Sequence, residues 1–324
     1  MAESTSPAPA VQTATVGAAR VPISRFGLGT AKLSNRDDQA EATRVVAAAL
    51  KRGVTYFDTA PYYGIGQAEL ALGAALQEQP GAQVTVSTKV GRIVDPATGA
   101  WHYDYSRDGV LRSLDSSFAR LQRDHVDIVY VHDPDDFAAE ASATAIPTLL
   151  ALRDEGVIGA VGVGMNQWQL PLEFVRNFDL DVILIAGRYS LLDASAAEEL
   201  FPACIERGVG VVLGGVFNSG ILADPSDQAT FAYRPAAADL LEKARRMQAI
   251  VVRHGFALAD VAQAYSAAHP ASTAVLIGVT DVAQLETNVA AWHRPVPAAL
   301  WAELADAGLL PRGGTLPGTE AARP

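Results

Sequence analysis

The sequence predicts a single-domain α/β protein, a (β/α)8 TIM barrel with an extra C-terminal helix. From about residue 23, short apolar runs alternate with longer amphipathic stretches, which gives eight strands, each followed by a helix. No composition break or long linker divides these units, so we expect a barrel over 21–310 between flexible tails at 1–20 and 311–324. An open doubly wound sheet is the alternative, but the G-x-G-x-x-G pattern that such sheets usually carry occurs nowhere in the chain.

The first helix and the strand after it show the pattern most clearly. Apolar residues within 42–50 recur with the i, i+3, i+4 spacing of a helix that buries one face. Asp37 or Asp38 offers an N-cap for this helix, and Gly53 ends it. The run at 54–58 is continuous and β-rich, which is typical of a strand buried on both faces.

The same reasoning assigns the remaining elements. The predicted strands are 23–29, 54–58, 84–90, 126–132, 157–164, 181–186, 209–215 and 274–278. The later helices are predicted at about 66–77, 106–121, 138–155, 168–177, 194–207, 236–254, 258–268 and 281–292, with the extra one at 297–308.

Composition and charge limit the classes of function. The chain has 25 basic and 36 acidic residues, a net charge of −11, and no basic patch of the kind that nucleic acid or an anionic membrane needs. No run approaches the roughly eighteen apolar residues of a membrane span, and the first twenty residues lack the features of a secretion signal. One cysteine, Cys204, excludes an internal disulfide, and the six histidines lack metal-ligand spacing, so no metal is predicted. We expect a cytoplasmic monomer or homodimer that acts on a small molecule.

Four side chains mark a candidate site, because reactive groups in such barrels lie where strands end and loops begin. Asp58 ends the second strand and Tyr63 follows in its loop, while Lys89 and His132 end the third and fourth strands. Each has an ordinary structural explanation when taken alone, such as a cap or a packing role. Their convergence on one barrel mouth favours a catalytic site.

The combination also suits proton transfer. A tyrosine with a pKa near 10 is a poor proton carrier at neutral pH, and an adjacent ammonium, held by a carboxylate, is expected to lower that value. A histidine at the same oxygen can polarise a carbonyl. The signatures of serine hydrolases, zinc proteases and Walker-loop enzymes are absent. A Schiff-base aldolase would use a strand-end lysine, but it would not call for the Asp–Tyr pair.

The segments FDTAPYYGIGQAE, STKVGR and YVHDPDD resemble the aldo-keto reductase superfamily over residues 23–292. The resemblance implies that Asp58, Tyr63, Lys89 and His132 form the family's tetrad, with Tyr63 as the proton donor or acceptor. It also implies hydride transfer to or from a nicotinamide dinucleotide bound across the strand ends without a Rossmann unit.

The resemblance further implies a set of cofactor contacts. Asn166 would bind the carboxamide and Tyr189 would stack on the nicotinamide ring. A carboxamide-binding glutamine often lies three residues before that tyrosine, but Ala186 stands there, and Arg188 is a candidate to compensate. The full set is Gly29, Thr30, Asp58, Asn166, Tyr189, Gly214, Gly215, Val216, Phe217, Asn218, Gly278, Val279, Thr280, Gln284 and Asn288.

The segment 278–286 bears on which dinucleotide is used. NADP-dependent relatives commonly place basic residues there to hold the 2′-phosphate, whereas this segment has no basic residue and two acidic ones. Because charge-assisted pairs supply most of the affinity for such a phosphate, we predict a preference for NAD, with NADP as a possible second cofactor.

The segments HDPDD, GVGMNQW and AGRYSLLD resemble the branch of this superfamily that contains aldose 1-dehydrogenases acting on L-fucose or galactose, together with pyridoxal 4-dehydrogenase. The resemblance implies oxidation of a hemiacetal carbon of an aldose such as L-fucose, D-arabinose or L-galactose to a lactone. Tyr63, His132, Asp133 and Trp168, with the loop 95–105, are then the candidate substrate contacts. The alternatives are oxidation of pyridoxal, a general NADPH-linked aldehyde reductase, and a cofactor-sensing binding subunit.

Overall fold

Eight parallel strands form a closed barrel in the computed structural model, which describes residues 10–34, 39–95 and 97–316. Each strand pairs with the next along the chain, and the eighth closes the ring on the first through the partners Val275–Phe26 and Gly278–Gly29. The barrel strands are Phe26–Gly29, Tyr56–Asp58, Thr85–Val90, Val126–His132, Ile158–Met165, Val182–Ala186, Gly210–Gly214 and Ser272–Gly278. The predicted TIM barrel is confirmed.

Helices surround the barrel and bury their apolar faces against it. Their bounds are Gln39–Lys51, Gln67–Gln77, Arg107–Leu121, Ala138–Glu140, Ile146–Asp154, Gln169–Asn177, Leu200–Arg207, Ala238–Arg253, Leu258–Ala268, Val282–Trp292 and Ala298–Asp306. Ser106 and Asp281 act as N-caps, since Ser106 accepts a hydrogen bond from the amide of Gly109 and Asp281 accepts one from the amide of Gln284. The proposed caps Asp37 and Asp38 lie outside the described residues.

An antiparallel hairpin closes the amino-terminal end of the barrel. Its strands are Thr13–Val16 and Val21–Ser24, and Val16, Val21 and Ile23 are buried in the cluster that fills the barrel interior. The prediction of a flexible tail up to residue 20 is therefore wrong for residues 10–20, because apolar side chains of this segment pack against the amino-terminal end of the barrel. The predicted strand 23–29 is likewise divided between this hairpin and the first barrel strand.

Two smaller hairpins lie in the loops after the third and seventh barrel strands, where no strand was predicted. The first pairs Arg92–Asp95 with Ala100–Tyr103, and the second pairs Thr230–Phe231 with Arg234–Pro235. The segment 95–105 therefore belongs largely to a hairpin, although Pro96 lies outside the described residues.

Three further boundaries differ from the sequence expectation. The predicted helix 138–155 contains a π-helical turn at Ala141–Ala145, just before Pro147 in the first turn of the next helical segment. The predicted helix 194–207 begins only at Leu200. The expected tail beyond residue 310 is packed up to residue 316, where the amide of Thr315 donates to the Tyr189 hydroxyl at 3.1 Å. In the described part of the chain, no helix is long and apolar enough to cross a bilayer.

Candidate active site

A cavity of about 650 Å³ opens at the carboxyl ends of the barrel strands. The sequence-predicted residues that line it are Gly29, Asp58, Tyr63, Lys89, His132, Asp133, Asn166, Gly214, Gly215, Val216, Phe217 and Gly278. All four residues of the proposed tetrad therefore meet at one opening.

The alternation of side chains along the strands explains how these groups are positioned. In the second, third and fourth strands, Tyr56, Ser87 and Tyr130 point into the barrel, where the Tyr56 hydroxyl lies 3.2 Å from Ser87 Oγ and 3.1 Å from the Tyr130 hydroxyl. Two residues further along each strand, the next inward positions carry Asp58, Lys89 and His132. A lower layer of hydroxyl groups thus supports an upper layer of ionisable groups at the mouth, and Ser87 Oγ joins the two by donating to Asp58 Oδ1 at 2.7 Å.

Asp58 and Lys89 form a buried ion pair. The Lys89 ammonium donates to Oδ1 and Oδ2 of Asp58 at 2.9 and 2.8 Å and to the Thr59 carbonyl at 2.8 Å, and Lys89 is only 1 % exposed. The same ammonium lies 4.7 Å from the centroid of the Tyr63 ring. The ring of His132 meets the Tyr63 ring edge-on, with centroids 6.0 Å apart.

The environment sets the protonation of these groups. Burial alone would lower the pKa of Lys89, but Asp58 and the Tyr63 hydroxyl outweigh it and raise that pKa, so the ammonium stays charged. Burial, followed by the positive charges of Lys89 and Arg92, lowers the pKa of His132 well below its usual range, and its imidazole is neutral near pH 7. Burial raises the pKa of Tyr63, and Lys89 offsets this only in part. Lys89 acts on Tyr63 in the expected direction, but burial outweighs it and the net pKa of Tyr63 is raised.

Asp133 occupies the cavity wall beside the tetrad. Its carboxylate accepts a hydrogen bond from Arg92 Nη2 at 2.6 Å and bonds from Asn166 Nδ2 to both oxygens at 3.2 Å, and it lies 3.8 Å from His132 Nε2. Its backbone adopts a φ of +41°, which is uncommon for a residue other than glycine. The Tyr105 hydroxyl donates to the carbonyls of both His132 and Asp133, which holds this strained turn in place.

Two predicted aromatic contacts do not reach the cavity. Tyr189 is 1 % exposed and stacks on Tyr265 with centroids 5.2 Å apart, so it packs in the helix layer rather than facing a nicotinamide ring. Trp168 is partly buried against the apolar core at the start of the helix Gln169–Asn177 and does not line the cavity. Arg188, the candidate to compensate for the missing glutamine, donates from its guanidinium to the Asn166 carbonyl and to Asp193.

The remaining predicted cofactor residues lie outside the main cavity. Thr30 is fully buried and donates to the Asp58 carbonyl, and Asn218 borders an adjoining cavity of about 270 Å³ while donating to the Gly187 carbonyl. After the eighth strand Val279 is buried, and Gln284 accepts a hydrogen bond from the amide of Thr280. The nearby carbonyl of Asn288 is bonded to Gln263.

Two basic residues of the cavity were missed by sequence reasoning. Arg92 follows three residues after Lys89, so the rule that reactive groups follow strand ends would have found it. Lys32 follows the first strand, and its Cγ lies close to Gly278, where a Cβ would be 3.6 Å from it. Lys32 follows the first strand, whereas the sequence prediction placed phosphate-binding cations only after the eighth strand.

The aldo/keto reductase family model matches residues 25–308. The chain is 36 % identical to a D-threo-aldose 1-dehydrogenase from a Pseudomonas species and 34 % identical to a pyridoxal 4-dehydrogenase from Microbacterium luteolum. Each match covers 91 % of this chain and 97 % of the relative. Among solved structures, the holo form of an aldo-keto reductase from Bacillus halodurans, AKR11C1, superposes with a TM-score of 0.78 at 25 % identity, over 93 % of this chain and 97 % of that one.

The chain belongs to the aldo/keto reductase family. It is an NAD(P)-dependent oxidoreductase close to aldose and pyridoxal dehydrogenases. The cavity suits a dinucleotide, because the backbone of Gly29, Gly214, Gly215 and Gly278 forms part of its wall, and glycine lets a ligand approach the backbone closely. Asn166 also fits, since its Nδ2 is held by Asp133 and its Oδ1 is left to accept a hydrogen bond from a carboxamide.

Proposed function

We propose that this protein oxidises the anomeric carbon of an aldose, such as L-fucose, D-arabinose or L-galactose, to the lactone with NAD as the preferred cofactor. The observation that carries the proposal is the buried Asp58–Lys89 pair beneath the Tyr63 ring in a cavity that also holds a neutral His132. Similarity to an aldose 1-dehydrogenase over nearly the whole of both chains supports the choice of substrate class.

In the proposed reaction, each of these residues has one step. Tyr63 takes the proton of the anomeric hydroxyl. A bound oxidised nicotinamide would supply the other half of the reaction, as the acceptor of hydride from the same carbon. The anomeric C–H and O–H bonds break and the carbonyl of the lactone forms. The proton goes to Tyr63, and the C–H electron pair leaves with the hydride. Lys89 stabilises the phenolate that starts the step, and Asp58 keeps Lys89 charged and in place.

His132 contributes without carrying charge. Its Nδ1 is buried, so Nε2 is the ring nitrogen that a substrate can reach. A neutral imidazole can hydrogen-bond to the reacting oxygen and orient it without adding charge to the site.

Support for NAD comes from the segment after the eighth strand. Asp281 caps the following helix, and Glu286 pairs with Arg52 at 2.6 Å, so the acidic residues there take part in the protein's own contacts. No basic residue of 278–286 is available to a 2′-phosphate.

The test is a panel of L-fucose, D-arabinose, L-galactose and pyridoxal with NAD or NADP, followed by NAD(P)H absorbance. We expect turnover of at least one sugar, a higher kcat/KM with NAD, and loss of turnover in Tyr63→Phe. Tyr265→Phe is the matched control, because its hydroxyl is buried outside the cavity. Turnover of pyridoxal alone would assign the protein to the other similar activity, and no turnover of any compound would overturn the proposal.

A further inference from the structure

Arg92 lies beside Asp133 at the cavity wall, and its side chain contacts one carboxylate and two aromatic rings. Nη2 donates to Asp133 Oδ2, while the guanidinium carbon lies 4.8 Å from the centroid of the Tyr62 ring and 5.5 Å from that of Tyr103. A planar guanidinium between a carboxylate and two ring faces has few alternative orientations.

The backbone before Arg92 explains why the side chain reaches the cavity. Gly91 has a φ of +100°, and a Cβ there would overlap the ring of Tyr105. The chain turns sharply over that ring, and the hairpin Arg92–Asp95 begins at the cavity edge. Arg92 keeps 14 % of its side chain exposed, facing the cavity that it lines.

Most of the hydrogen-bonding capacity of Arg92 is unused. A guanidinium has five N–H donors, and within the described residues the bond from Nη2 to Asp133 is the one that uses them. Nε is buried without an acceptor in that part of the chain, and Nη1 has none there either. Because unmet donors in a desolvated site cost free energy, an acceptor that arrives with a ligand is favoured.

The charges around Arg92 select the class of that ligand. Arg92 forms an ion pair with Asp133, and Lys89 forms one with Asp58. The two positive charges in this half of the cavity are therefore balanced by two negative charges. A carboxylate or phosphate would meet repulsion from Asp133 beside any attraction to Arg92. A hydroxyl group can accept from Arg92 and donate to Asp133 at the same time.

We infer that Arg92, held by Asp133, Tyr62 and Tyr103, is a specificity-determining residue that binds sugar hydroxyls remote from the reacting carbon and so selects uncharged, polyhydroxylated substrates. This inference rests on the proposed function. It assigns to Arg92 the discrimination between a sugar and a simple aldehyde, which the tetrad alone does not provide.

The experiment compares Arg92→Met with the unaltered enzyme on two substrates. One is the best sugar of the panel, oxidised with NAD, and the other is butanal, reduced with NADH, which has no hydroxyl for Arg92 to bind. Methionine keeps much of the apolar stem between the rings. We expect kcat/KM for the sugar to fall about 10- to 100-fold, mainly through KM, and kcat/KM for butanal to stay within about threefold.

Two further variants separate this role from a structural one. Arg92→Met combined with Asp133→Asn removes the unpaired carboxylate that the single change leaves behind, and asparagine tolerates the positive φ at that position. The double variant should keep the selective loss on the sugar. Arg112→Met is the matched control, because Arg112 is exposed and bonded to Asp104 outside the cavity.

The results on sugar and butanal distinguish a specificity role of Arg92 from a structural one. Equal losses on sugar and butanal in both Arg92 variants would show a structural role and overturn the inference, and so would unchanged activity on both. If the unaltered enzyme reduces butanal but oxidises no sugar, the proposed function fails first and the inference falls with it.

Discussion

The two ends of the cavity differ in how their charged groups are paired. At the tetrad end, Lys89 and Arg92 each pair with a carboxylate, and the groups beneath them are joined by hydrogen bonds down to Tyr130. At the other end, the wall is glycine backbone, and the exposed Lys32 makes no hydrogen bond or ion pair within the described residues. The tetrad end, which we call the organised end, therefore has its charges paired before a ligand binds. The glycine end leaves the ammonium of Lys32 available to a ligand.

The largest expected effect is at the organised end. Lys89→Met removes the ammonium that stabilises the Tyr63 phenolate, so we expect kcat to fall about 10²- to 10⁴-fold. It also leaves Asp58 buried and unpaired, which should cost about 3–5 kcal/mol in the free energy of unfolding. Steady-state kinetics and urea unfolding measure the two effects.

A double variant separates catalysis from stability. Adding Asp58→Asn to Lys89→Met removes the unpaired charge, so stability should largely recover while kcat stays low. Lys51→Met, at an exposed helix end, is the control for the loss of a lysine. A kcat within tenfold of the original in Lys89→Met would mean that the buried pair is structural only.

The second prediction concerns pH. Oxidation needs Tyr63 deprotonated, and burial raises the pKa of this phenol above its ordinary value, so kcat/KM for oxidation should climb with pH throughout the neutral and alkaline range. Reduction uses the protonated phenol and should stay level over the same range. A profile for oxidation that levels off near neutrality would show that the bound cofactor lowers the pKa of Tyr63, and the organised end would then be incomplete without it.

The smallest effect belongs to the other end. Lys32 is exposed and its charge is screened by solvent, so Lys32→Met should raise KM for NADP only about two- to fivefold and KM for NAD by less. Dinucleotide titrations followed by protein fluorescence give the same comparison without turnover. Unchanged affinities for both dinucleotides would show that Lys32 does not contact the 2′-phosphate.

Local sequence patterns predicted the barrel and the tetrad because both depend on short-range signals. The strand Val126–His132 matches its prediction at both ends, since a continuous apolar run defines it. The hairpin Arg92–Asp95 was missed because its partner Ala100–Tyr103 is short and has no buried residue, so no buried face gives it a period of two.

Residues whose role depends on tertiary packing could not be assigned in this way. Tyr189 follows a strand as Asp133 does, but its ring turns outward to Tyr265 while Asp133 turns inward to Arg92. Nothing in the adjacent sequence distinguishes these directions. The pKa of Tyr63 was misjudged for a related reason, because the extent of burial that opposes Lys89 is a property of the folded mouth.

The hairpin that closes the barrel floor has a consequence for proton traffic. Below Asp58, the hydroxyl groups of Ser87, Tyr56 and Tyr130 end in an interior sealed by Val16 and Ile23, so that side offers no exit to solvent among the described residues. A proton accepted by Tyr63 must return to the bulk through the same opening that admits the ligands. During oxidation, that proton and the product therefore leave the barrel by the same route.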